Sequence, residues 1–136
     1  MLYINELLSQ IHNNLTNSVK LRSKIKGVYL YLSQEAISPF ILINLQEIKH
    51  VVGDGAWTFK KSYNMKTSIS LFIKQKMQAE NIDIVEIIDK ELSTSSFKLN
   101  GYDVSGIRKE NMLLHHSNDL LTTKFENNYL ILIKEQ

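Results

Sequence analysis

The histidines are the side chains of this 136-residue chain most suited to metal chemistry. His115 and His116 are adjacent, so on a β-strand they would point to opposite faces and could not bind one metal ion together. His12 and His50 have no carboxylate or second histidine at ligand spacing. The chain contains no cysteine, which excludes thiolate metal sites and disulfides. We therefore expect no metal site and no cofactor.

Catalysis by a side-chain nucleophile also lacks a recognisable pattern. Ser93 to Ser96 offers four hydroxyls at a predicted helix end, with no general base in view. No motif pairs a nucleophile with any of the scattered carboxylates, which include Glu35, Glu47, Asp54, Glu110 and Asp119. Gly53-Asp54-Gly55 would cradle a phosphate only if a helix followed, and a strand pattern follows instead. The sequence therefore predicts a hairpin turn there and a protein that is not an enzyme.

Basic residues, some of them beside aromatic residues, support the hypothesis that the protein binds nucleic acid. The basic cluster consists of Lys20, Arg22, Lys24 and Lys26. It follows a helical pattern, where cations also complement the helix macrodipole. Lys60-Lys61 lies beside Trp57 and Phe59, and aromatic rings can stack on bases. The net charge of +2 is too small to argue for nucleic acid, so we expect no sequence-specific recognition of it.

Length and composition indicate one ordinary globular domain over residues 1–136. Hydrophobic residues make up 43% and charged residues 22%, typical of a soluble protein. No apolar run approaches the roughly 18 residues of a membrane span, and the N-terminus lacks the pattern of a signal peptide. We therefore expect no membrane partner and a reducing compartment.

Hydrophobic periodicity predicts two helices and four to five strands. The predicted helices cover 2–22 and 78–94, and the predicted strands cover 28–32, about 39–52, 57–76, a bulged segment from 102, and 120–134. The alternation from Tyr63 to Ile73 is the clearest strand pattern. The order α-β-β-β-α-β-β predicts an α+β fold, with an antiparallel sheet and both helices packed on one of its faces.

Four sequence segments together resemble the bacteriophage tail-completion, or tail-terminator, family, which also occurs in prophages and gene transfer agents. They are the strand Pro39 to Ile43, the alternating strand Ser68 to Ile73, the helix AENIDIVEIIDKEL, and the turn Leu99 to Val104. The resemblance covers nearly the whole chain. It implies a non-catalytic ring, usually a hexamer, that caps the tail tube and meets the head connector. Such a subunit would lie in the host cytoplasm before assembly and then in the particle.

A ring needs contacts between copies, and three aromatic residues are the predicted interface. Trp57 and Phe59 follow the predicted hairpin, and Phe72 interrupts the polar side of its strand. The basic cluster and the segment Met112 to Asp119 do not map onto the family. Two alternatives therefore stay open. One is a small-ligand-binding α+β domain closed by the helix 78–94, and the other is a nucleic-acid-associated adaptor that uses the basic cluster.

Overall fold

A computed structural model describes residues 2–31, 35–51, 61–74, 79–118 and 121–136. The helices are α1 (Leu2–Thr16), α2 (Val19–Arg22) and α3 (Ala79–Thr94). The strands are β1 (Gly27–Tyr29), β2 (Phe40–Val51), β3 (Ser62–Ile73), β4 (Lys98–Leu99), β5 (Tyr102–His116) and β6 (Thr123–Glu135). None of the helices in these ranges is long and apolar enough to span a membrane.

The six strands form one mixed sheet in the order β1-β2-β3-β6-β5-β4. β1 pairs with β2 in parallel, and the other pairs are antiparallel. Register shifts interrupt β2 between Leu45 and Glu47, and β5 at two places, Val104/Gly106 and Lys109/Asn111. Such bulges increase local twist, which is consistent with the sheet curling into a half-barrel.

One hydrophobic core is formed by residues of the helices and alternate residues of this sheet. Leu7, Ile11 and Leu15 of α1 are fully buried at helical spacing. α3 adds Ile84, Val85, Ile88 and Leu92 to the same core. The strands contribute alternate residues, among them Ile41, Ile43, Met65, Ile69, Leu71, Phe125 and Ile131. We call the side of the sheet that carries these residues the core side, and the opposite side the outer side.

The predicted fold class is wrong in its sheet and in its helices. We expected four to five antiparallel strands with two helices packed on one face, whereas the sheet has six strands, is mixed and curls into a half-barrel with three helices. β1 and β4 are three and two residues long, too short for an alternating pattern to predict their pairing. The parallel pairing of β1 with β2 leaves no local signal at all, because it depends on the path of the connecting segment.

The first predicted helix, over 2–22, is also divided. α1 ends at Thr16, and Ser18 caps the separate turn α2 by accepting a hydrogen bond from the backbone N–H of Leu21. Ser18 also donates to Glu91 of α3 over 3.1 Å. The apolar stripe continued through this break, so periodicity alone could not place it.

Candidate functional site

Phe72, one of the predicted interface residues, lies on the outer side of the sheet. Its ring is half-buried and stacks on Phe40 of β2, with ring centroids 4.7 Å apart. The Lys124 ammonium lies 5.7 Å from the Phe72 ring centroid, within cation–π range. The other two predicted interface residues, Trp57 and Phe59, lie outside the described residues, as does the predicted turn Gly53–Gly55.

Small polar side chains fill the middle of the outer side. Ser68 and Ser70 of β3 are only 3% and 2% exposed, although they point away from the core side. The sheet register places Ser70 between Leu42 and Glu126, whose longer side chains flank it. Ser68 and Ser70 are therefore closely covered by neighbouring side chains of the sheet.

The C-terminal half of α3 faces β5 across a surface groove of about 400 Å³, which we call the α3 groove. In it, the Lys109 ammonium lies 2.8 Å from Asp89 Oδ2, and the Tyr129 hydroxyl donates a hydrogen bond to Asp89 Oδ1. Burial raises the pKa of Tyr129 well above its usual value, and the hydrogen bond to Asp89 raises it further. The hydroxyl therefore stays protonated at physiological pH and serves as an anchor for α3, not as a base.

The histidines do not converge on a common site. His116 Nδ1 lies 3.2 Å from Thr123 Oγ1, whereas His115 Nε2 lies 3.7 Å from a carboxylate oxygen of Glu126. The two adjacent rings thus meet different partners, as their alternation on a strand predicts. His12 Nε2 donates to the carbonyl of Val28 over 2.8 Å. Within the described ranges, no three His, Asp or Glu side chains are grouped so that they could hold a metal ion.

The four residues of the basic cluster all point into solvent. Lys20 and Arg22 belong to α2, and Lys24 and Lys26 lie between α2 and β1. Arg22 donates to the carbonyl of Thr16 over 3.0 Å. None of the four forms an ion pair with another described residue. The cluster is therefore a positive surface whose charge the described part of the fold does not neutralise.

Both outer edges of the sheet leave long stretches of backbone without a neighbouring strand in the described structure. β1 covers β2 only from Phe40 to Leu42, and β4 covers β5 only at Tyr102 and Asp103. The exposed β5 residues Met112, Leu113 and Leu114 had no predicted role. Three consecutive apolar residues on a strand were the available signal, since a sheet with one covered side calls for alternation.

Comparison with known proteins identifies a shared fold and no family. No protein-family model matches the sequence, and no curated protein matches it. Among solved structures, the chain is similar to one from a structure described as the virion of a native gene transfer agent (GTA) particle. The match has a TM-score of 0.74 and covers 97% of this chain and 97% of that chain, at 10% sequence identity. At that identity the similarity demonstrates the fold alone.

Proposed function

We propose that this chain is a structural subunit of a phage-like tail. In this role a ring of copies, in the simplest case six, caps the tail tube and joins it to the head connector, with no catalysis. Its partners are other copies of itself, the tail tube protein and the head-connector protein. The single observation that carries the proposal is the fold shared end to end with a chain of a gene transfer agent virion.

The character of the described surface supports a role in contacts between proteins. In the α3 groove, Asp89 forms an ion pair with Lys109 and also accepts a hydrogen bond from Tyr129. Most of the exposed apolar residues that the structure describes, and the uncovered strand edges, occur on the flanks of the sheet. We retain Trp57, Phe59 and Phe72 as proposed interface residues of the ring.

Deletion of the gene in a cell that produces the particles tests this function. Without a cap and a joint, tubes should lengthen irregularly and heads should lack tails in electron micrographs. The wild-type gene supplied from a plasmid should restore normal particles. Particles of normal form without the protein would refute the tail role. Light scattering on a sizing column tests the ring separately, because six copies of a 15.8 kDa chain give a mass far from the monomer's.

The exposed basic cluster favours a nucleic-acid-associated adaptor as the second candidate. Four exposed cations within seven residues, with no ion pair to any other residue that the structure describes, would make binding to DNA fall steeply with salt concentration. Fluorescence anisotropy with a labelled DNA duplex, measured over a series of salt concentrations, tests it. Binding that is strong at low salt, and lost in a variant with all four residues changed to Gln, would favour this candidate.

A further inference from the structure

Of the nine large hydrophobic side chains that are exposed in the described structure, Val19 and Ile82 lie on helices, and the other seven lie on two opposite flanks of the sheet. The β1-side set contains Leu30, Tyr31 and Ile37. The β5-side set contains Met112, Leu113, Leu114 and Leu121. Their exposed fractions run from 38% for Met112 to 79% for Tyr31. Exposed apolar side chains grouped on one flank can mark a contact site on a soluble protein.

The strand register places Leu30 of the β1-side set at about the same height on the sheet as Met112 to Leu114 of the β5-side set. One row of paired residues crosses five strands and runs through Tyr29, Leu42, Ser70, Glu126 and Leu113. Leu30 follows Tyr29 directly, and Met112 and Leu114 flank Leu113. At this height β1 is the edge strand on one side and β5 is the edge strand on the other.

The β5-side set cannot be buried by its own chain as described. Successive residues of β5 point to opposite sides of the sheet, so Leu113 lies on the outer side while Met112 and Leu114 lie on the core side. All three are nevertheless exposed, at 38%, 44% and 43% in sequence order. A strand that is apolar on both sides and exposed on both sides is suited to a partner that covers the strand from its edge.

We propose that the two sets are the two halves of one repeating contact, in which the β5-side set of one copy docks on the β1-side set of the next. The inference rests on the proposed ring and names the surfaces that would close it. Because the sets lie on opposite edges, each copy uses both at once, and such a head-to-tail contact forms a ring when its rotation closes. We place the side chains of the β1-side set in this contact, at an edge where the Val28 carbonyl already accepts a hydrogen bond from His12.

Two charge substitutions and a matched control test the contact. Leu113→Glu disables the β5-side set and Tyr31→Glu disables the β1-side set; both side chains are exposed, so the fold should survive. Ile82→Glu changes a similarly exposed residue of α3 outside both sets. We expect each set variant to be monomeric by light scattering while Ile82→Glu assembles like the wild type. Mixing the two set variants should give dimers, because one intact pair of sets remains.

The outcomes separate a head-to-tail contact from a two-fold one. If Tyr31→Glu still dimerises while Leu113→Glu is monomeric, two β5-side sets meet each other and the inference is wrong. If both variants assemble like the wild type, the ring uses other surfaces, so the inference fails while the tail role stands.

A pair of introduced cysteines can detect the contact even if the copies associate too weakly for light scattering. The chain has no native cysteine that could form other disulfides. Under oxidation, Tyr31→Cys/Leu113→Cys should give a ladder of covalent oligomers on a denaturing gel, while either single variant stays monomeric. A monomeric wild type together with no ladder overturns the inference. The deletion phenotype would then decide the tail role independently.

Discussion

Removal of the Tyr129 hydroxyl should weaken the attachment of α3 to the sheet. Tyr129 is 3% exposed and donates to Asp89, and a hydrogen bond to a charged group contributes about 1.5–3 kcal/mol. The Asp89 side chain is 35% exposed, so water can replace the lost donor. We therefore expect Tyr129→Phe to lower the free energy of unfolding by about 1–2 kcal/mol, toward the lower end of that range.

Urea denaturation measures this loss. With a typical slope of about 2 kcal/mol per molar urea, the midpoint should fall by roughly 0.5–1 M. Lys109→Met is the control within the same cluster. It removes a partly exposed ion pair worth at most about 1 kcal/mol, and its effect should shrink as salt is added. An unchanged midpoint for Tyr129→Phe would show that the hydroxyl does not anchor α3.

The same variant makes a separate prediction at alkaline pH. Burial and the bond to Asp89 raise the pKa of Tyr129 in the folded state above the ordinary value of 10.0. Above pH 10 the unfolded chain therefore loses this proton while the folded chain keeps it, so stability falls as pH rises. The contribution from this group is about 1.4 kcal/mol per pH unit. Tyr129→Phe should remove that share of the slope, and equal slopes for both proteins would contradict the reasoning.

Two further perturbations probe the core and the acid response. Leu7→Ala should cost about 2–5 kcal/mol in chemical denaturation because Leu7 is fully buried, and Leu8→Ala, at a half-buried position of α1, should cost clearly less; equal losses would contradict the assigned helix face. A hydrogen bond from the Asn128 amide, and to a smaller extent the nearby Lys124 ammonium, lower the pKa of Glu126 below its usual 4.5. The stability this gives is present above pH 4.5 and is lost as pH falls below it, so Glu126→Gln should flatten the acid side of a thermal unfolding profile.

The sequence predicted well where a pattern is local and long. The alternation of Tyr63 to Ile73 became β3, and the stripe beginning at Ile4 became α1. It failed for β1 and β4, whose pairing depends on strands distant in the chain. The half-barrel could not be predicted from the sequence either, because bulges such as that at Leu45/Glu47 depend on which residues face each other across two strands.

The candidate surfaces were predictable only in part. Basic residues between 20 and 26 are visible in any reading of the sequence, and the structure shows them exposed. The Asp89, Lys109 and Tyr129 cluster joins residues 20 and 40 positions apart on three elements, so no spacing rule identifies it. For Met112 to Leu114 the pattern was visible but its meaning required the topology, which makes β5 an edge strand.

The position of β5 explains how an exposed apolar strand is compatible with a stable subunit. Its neighbour β6 carries Phe125 and Asn127, both fully buried, and β5 pairs with β6 at these residues. The core therefore requires β5 to pair with β6 along one edge of the strand. The opposite edge of β5 has no neighbouring strand beyond Asp103 in the described structure. Charged residues protect many edge strands from association, and β5 carries the exposed Arg108 and Glu110 before it reaches Met112. From Met112 to Leu114, however, the strand exposes apolar side chains, and this is the surface that we propose docks on the next copy.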